Sequence, residues 1–258
     1  MREEFTVRTT TLAVLGTLLA GTMAVPAWAA APEPVDQATV LVFSETAGYR
    51  HASIESGIAA IEELGRQDGF HVESTEDSTR FTDRELARYD AVVWLSTTGD
   101  VLDQPQQDAF ERYVRNGGGY VGVHAAADTE YDWPFYGELV GAYFASHPQI
   151  QPAAVRVEDH RNDSTAHLPN RWERTDEWYN YRASPRPRVH VLAALDERSY
   201  DPGDGAMGGD HPIAWCHDVD AGRAFYTGGG HTEESYSEPD FVRHVLGGIR
   251  VALDRAPC

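Results

Sequence analysis

The chain has 258 residues, with 41 Asp and Glu against 21 basic residues, 41% hydrophobic and 10% aromatic side chains, and a formal net charge of −20. That size admits one large domain or two small ones, and the acidity, with no basic run, argues against nucleic acid or anionic lipid as partners, because both require clustered Lys and Arg. Every basic residue is arginine, so Schiff-base chemistry, a pyridoxal-phosphate anchor and a P-loop lysine have no residue to carry them.

Arg2 and Arg8 precede an apolar run from Leu12 to Val25, and Ala27-Trp28-Ala29 supplies the small-x-small pattern of a signal-peptidase site. The sequence therefore predicts a signal peptide over residues 1–29, a linker over 30–38 containing Ala31-Pro32-Glu33-Pro34, and a single domain over 39–258. The apolar run is too short and too rich in Gly and Thr to span a membrane, and no later stretch approaches the roughly 20 apolar residues a crossing needs. The expected location is extracellular, with no membrane association after cleavage. Cys216 and Cys258 then form an even pair that an oxidising compartment allows to bridge.

Thr39 to Ser44 reads as a buried strand. Ser53 is placed to cap a helix whose Ile54, Ile58, Ile61 and Leu64 form one stripe. Short strands follow at Phe70–Val72 and Ala91–Leu95, then a helix capped by Asp103, with Pro105 in its first turn and Phe110, Tyr113 and Val114 inward. Asn116-Gly117-Gly118-Gly119 ends that helix, and Tyr120–Val123 forms another strand. From Ala142 to Tyr200 the pattern loosens, with strands expected only at Ala154–Val157 and Val189–Leu195. Pro212–Cys216 and Arg223–Tyr226, joined through Asp220-Ala221-Gly222, make a hairpin. A last helix, capped by Ser237, carries Phe241, Val242, Val245, Leu246, Ile249 and Leu253. Alternating strands and helices in the N-terminal half predict an α/β fold, a mostly parallel sheet with helices on both faces and a C-terminal hairpin.

In such sheets ligands bind beyond the carboxyl ends of the strands, where loops and helix N-termini converge. The first strand leads to Tyr49, Arg50 and His51, the third to Thr98 and Asp100, the fourth to His124 and Asp128, and the hairpin to His231. Three histidines thus fall at the ends of separate strands. Gly122-x-His124 followed by small residues has the form of a nucleophile elbow occupied by an imidazole, which suits a general acid/base or a metal ligand. Asp128 and the Asp176-Glu177 pair are the carboxylates expected to orient or bind there. Tyr49, Trp133, Trp178, Tyr179 and Tyr181 offer faces for stacking against sugar C–H surfaces, although such residues are more often core. No organic cofactor is assigned. A divalent metal held by His124, His147 and His231 stays open, without a short-spacing signature such as HExxH.

Gly48-Tyr49-Arg50-His51, Thr98-Gly99-Asp100-Val101-Leu102, the run from Gly117 to Asp128, Asp176-Glu177-Trp178-Tyr179 and Gly229-Gly230-His231 together resemble the ThuA-like family, named for a bacterial trehalose-utilisation protein. The resemblance implies a flavodoxin-like fold of the class I glutamine-amidotransferase type and a link to sugar metabolism. In the related amidotransferases the elbow carries a catalytic cysteine. Here it carries His124, and Cys216 lies on another strand, so glutaminase chemistry is not expected. Many relatives carry a His-Pro step before the Asp-Glu-x-Tyr motif. That step is read here as Asn162-Asp163, with His160 as the nearest replacement.

The resulting expectation is a sugar-active enzyme acting on a glycoside or an oxidised sugar. His124 is assigned as acid/base, His51 and His231 as polarising groups, Asp128, Asp176 and Glu177 as carboxylate partners, and Tyr49, Arg50, Thr98, Asp100, Trp133 and Tyr179 as substrate contacts. The alternative is a non-catalytic carbohydrate-binding module using the same pocket.

Overall fold

The computed structural model describes residues 1–6, 8–10 and 37–258. The core of the predicted signal peptide, its cleavage site and the Ala31–Pro34 linker lie outside the described residues. In chain order the N-terminal half contains β1 (Thr39–Phe43), α1 (Ile54–Asp68), β2 (His71–Thr75), α2 (Asp83–Leu86), β3 (Ala91–Leu95), α3 (Gln104–Arg115), β4 (Gly119–Val123) and α4 (Pro134–Val140). There follow β5 (Phe144–Ser146), β6 (Gln151–Val157), β7 (Arg171–Asp176), β8 (Asn180–Tyr181), β9 (His190–Leu195), β10 (His211–Val219), β11 (Gly222–Thr227) and α5 (Pro239–Ala252).

Nine strands form one sheet in the order β2-β1-β3-β4-β11-β10-β9-β6-β7, and β5 pairs with β8 separately. From β2 to β11 every pairing is parallel, and from β11 to β7 every pairing is antiparallel. The α/β class holds, and the predicted hairpin is the start of a longer antiparallel half. The parallel centre is built from strands that are apolar on both sides, β1, β3 and β4 being almost wholly buried, as a sheet covered on both faces requires.

Successive residues of β4 show the two layers. Tyr120 packs against Tyr136 of α4, whereas Gly119 faces α5 so closely that a Cβ would stand 2.3 Å from the Ala252 carbonyl oxygen. Neighbouring side chains of a strand point to opposite faces, so α4 and α5 lie on opposite sides. Trp94 of β3 joins the α4 side, with Phe110 of α3 packed on it. Asp103 caps α3 through a reciprocal capping box with Gln106.

Two expected caps do not form. Ser53 stands at the N-cap of α1, but its hydroxyl donates 3.0 Å to the Gly230 carbonyl and leaves the helix end alone. The last helix begins at Pro239 with Glu238 before it and no side-chain cap, Ser237 being the end of a preceding 3₁₀ turn. The sequence reading also missed α2, α4, β5, β7 and β8. β7 alternates strictly between exposed and buried residues, but two of its three inward residues are Arg174 and Asp176, so the usual apolar alternation is absent.

A disulfide joins Cys216 of β10 to Cys258 across 42 residues. Closing a loop of that length removes freedom from the unfolded chain, and its reduction is expected to cost about 2–4 kcal/mol of stability. Urea unfolding with and without reductant measures the difference.

His244 of α5 is fully buried, with Nδ1 donating 2.9 Å to the Ser164 carbonyl and Nε2 3.1 Å from the Thr227 hydroxyl. Burial, against the Ser164 bond and aided by nearby His167 and Arg174, lowers it from 6.5 to about 4. The folded state therefore holds it neutral where the unfolded chain takes up a proton. Its contribution is complete above pH 6.5 and is lost as pH falls toward 4. Urea unfolding at pH 7 and 4.5 should show a smaller acid loss for His244→Gln than for the native chain.

Candidate functional site

The parallel register sets the first contact. Thr227 of β11 is paired with Val123 of β4, so the next residues along each strand, Gly228 and His124, emerge side by side. His124 adopts φ +51°, uncommon for a residue with a side chain, and starts a 3₁₀ turn reaching Asp128. This is the sharp strand-to-helix turn anticipated from Gly122-x-His124. Its Nδ1 lies 3.0 Å from the Gly228 carbonyl oxygen. A carbonyl only accepts, so Nδ1 carries a proton there.

That Nε2 lies 3.1 Å from His231 Nδ1 and 3.5 Å from Glu177 Oε2, and His231 Nδ1 lies 3.1 Å from the same Glu177 oxygen. His51 completes the group, its ring edge-on to those of His124 and His231 at 4.9 and 5.0 Å between centroids. His147 Nδ1 sits 3.0 Å from the other Glu177 oxygen. His51, His124 and Glu177 are buried and His231 is partly exposed.

The charges follow from this crowding. Burial, reinforced by His124 and His231 on either side, lowers His51 to about 3, so its ring is neutral. Burial pushes the Glu177 carboxyl up, but hydrogen bonding to His124 and His231 outweighs it and holds the carboxyl well below its usual range. For His231 burial opposes the charge, and the bond to Glu177 overcomes it and raises the imidazole.

A cleft of about 340 Å³ opens on this cluster, lined by Tyr49, His51, Asp128, Phe144, His147, Glu177, Tyr179 and His231. Asp128 accepts a 2.5 Å hydrogen bond from Tyr131, and burial, partly offset by that bond, raises its carboxyl. Tyr49 stands at the mouth, 67% exposed. Tyr179 is buried, with its ring 4.2 Å from that of His124 and 4.3 Å from that of Phe144.

The remaining residues singled out from sequence stand elsewhere. Asp176 is fully buried and accepts from Arg174, the Gly230 and His231 backbone N–H groups and the Ser235 hydroxyl, at 2.8 to 3.1 Å. It fixes the loop that carries His231 and does not line the cleft. Although β7 is the last strand of the sheet, this network brings its end to the loop after β11. Arg50 points into exposed ion pairs with Glu55 and Glu76, because two carboxylates outside the cleft claim its guanidinium. Thr98 is buried and donates to the Tyr49 carbonyl at 2.9 Å, positioning that loop. Asp100 is exposed and does not line the cleft. Trp133 is buried against Phe110, Phe135 and Tyr136 and belongs to the core.

The His-Pro step also moves. Asn162 is buried, accepting from Ser164 and donating to the Pro257 carbonyl, and His160 is exposed. His147-Pro148 is the step whose imidazole reaches Glu177. The signal was in the sequence, thirty residues before Glu177, inside the stretch with the weakest pattern.

The fold has counterparts among known proteins. A ThuA-like protein from Bacteroides uniformis superposes with a TM-score of 0.75 at 24% identity, covering 89% of this chain and 97% of its own. A second ThuA-like protein, from Parabacteroides merdae, superposes with a TM-score of 0.67 at 17% identity, covering 86% and 92%. The same fold recurs in a β-galactosidase from Bacillus circulans, with a TM-score of 0.54 at 13% identity, covering 85% of this chain and 31% of the enzyme. Among curated proteins none matches. The family model of ThuA, described as trehalose utilisation, matches residues 39–252, a span that contains each strand-end motif and both partners of every contact in the histidine cluster, and the chain belongs to that family.

Proposed function

We propose that the protein is an exported carbohydrate-directed enzyme that acts on a glycoside or its keto form in the strand-end cleft. The observation that carries this reading is the meeting of His51, His124, His231 and Glu177, from four separated segments, at the floor of a cleft with Tyr49 at its mouth. Clefts with perturbed titratable groups are where binding and catalysis concentrate. Membership of a family described as trehalose utilisation supports sugar as the substrate class, and the leader expected from the sequence supports a substrate outside the cell.

In this reading His124, buried and committed to Gly228, organises the cluster. His51, His231 and Glu177 face the substrate and polarise one of its oxygens. Asp128, whose burial favours the protonated form, exchanges a proton with the sugar. Tyr49 offers an exposed face for sugar C–H groups. The elbow holds an imidazole, so an acyl-enzyme of the cysteine type has no nucleophile there.

The test is incubation of the purified protein with trehalose, other disaccharides and their 3-keto forms, with products followed by mass spectrometry. Turnover of at least one of them is expected. Saturable sugar binding with no turnover would replace the enzyme by a carbohydrate-binding module.

A further inference from the structure

We propose that His124, His231, Glu177 and His51 form a binding site for one divalent transition-metal ion of the zinc type. The converging atoms have the required spacing. Ligands about 2.0–2.1 Å from a tetrahedral zinc ion stand about 3.3 Å from one another. His124 Nε2, His231 Nδ1 and Glu177 Oε2 are separated by 3.1, 3.1 and 3.5 Å. A ligand atom of His51 belongs to the same group, all four lying within 4.8 Å of one another, so a movement of about 1 Å brings it to coordination distance.

The hydrogen-bond partners point the same way. His124 Nδ1 donates to the Gly228 carbonyl, which turns Nε2 toward His231 Nδ1 and Glu177 Oε2. Among the described residues His51 Nδ1 is buried with no hydrogen-bond partner, a cost rarely left uncompensated in a well-packed interior. A cation among the ligand atoms of the cluster would give them a common partner.

The surroundings suit a metal as well. The His124–Gly228 bond and the His147–Glu177 contact are outer partners of the kind that fix ligand tautomers and orientations. Three imidazoles and one carboxylate favour zinc and its transition-metal neighbours over magnesium or calcium, which take mainly oxygen ligands. An ion here would lie at the floor of the cleft, with Asp128 on the same wall, where it could polarise a sugar carbonyl or a water.

The proposal rests on the carbohydrate reading only for what the ion acts upon, and it is tested with no sugar present, so either can fail without the other. The protein is stripped with chelator and titrated with zinc chloride alone by calorimetry, and zinc X-ray absorption is recorded on the loaded native chain. The expected result is one zinc per chain, with nitrogen and oxygen neighbours at about 2.0–2.1 Å. Affinity should fall at least 100-fold in His231→Ala and in Glu177→Ala, and stay unchanged when exposed His160 is replaced by alanine. Circular dichroism of each variant verifies folding, and the native-chain spectrum needs no variant. Absence of stoichiometric uptake by the native chain would overturn the site, as would equal affinity in folded His231→Ala and Glu177→Ala.

Discussion

On the proposed reading, replacing Asp128 with asparagine is expected to lower kcat for the proposed sugar substrate by about 10²–10⁴-fold, with little change in KM. Asp128 lines the cleft beside His51, His147 and Glu177, and burial, against the pull of the Tyr131 phenol, raises its carboxyl. A carboxyl so placed gives up and takes back a proton more readily near neutral pH than an exposed one. Asparagine keeps an oxygen for the Tyr131 hydroxyl and fills the same volume, so the substitution removes proton transfer and leaves the wall of the cleft in place. Steady-state kinetics on the native and variant proteins give the split. An unchanged kcat would remove Asp128 from the chemistry.

The second large effect is on the fold. Asp176→Ala is expected to cost about 3–5 kcal/mol, the scale for removing one partner of a buried ion pair. Arg174 and Asp176 have side chains that are 3% and 0% exposed and meet at 2.8 Å. Without Asp176 the Arg174 guanidinium keeps Glu238 at 2.9 Å and the Ser235 hydroxyl at 2.8 Å but loses its fully buried counter-charge. The Gly230 and His231 N–H groups lose their acceptor as well. Gly230 adopts φ +110°, a conformation few other residues tolerate, so the loop that aims His231 depends on these bonds. Urea unfolding gives the stability change, and sugar turnover should fall with it even where the variant remains folded. A loss below 1 kcal/mol would show that Glu238 and Ser235 suffice for Arg174.

The parallel half was legible because its strands are apolar on both faces and its helices carry regular stripes. Ala91–Leu95 is apolar throughout, and Asp103 marks the start of α3 in the sequence, to which the structure adds the capping box with Gln106. The same periodicity placed His51, His124 and His231 at strand ends, which is why most of the cluster could be named before its geometry was known. The antiparallel half was obscure for a physical reason. Its edge strand β7 buries Arg174 and Asp176, which pair with each other and whose further partners Gly230, His231, Ser235 and Glu238 lie more than fifty residues away, so no apolar alternation marks it as buried. Asp176 and Glu177 are adjacent in sequence and yet serve different ends, Asp176 turned into the ion-pair network and Glu177 into the histidines. Strand alternation separates neighbours in this way, but only a strand already recognised allows it to be applied. Arg50, Asp100 and Trp133 show the opposite error. Arg50 stands between Tyr49 and His51 in the chain, and Asp100 and Trp133 follow strand ends, yet their side chains are claimed by surface carboxylates, solvent and the core.

The most direct measurement of the account's central claim is a crystal structure of the Asp128→Asn variant soaked with the keto-disaccharide or disaccharide that the native protein turns over. The account predicts electron density for the sugar between Tyr49 and the His51, His231 and Glu177 wall, with one sugar oxygen directed at the cluster. Density for the sugar at another surface, with this cleft vacant at saturating concentration, would contradict it.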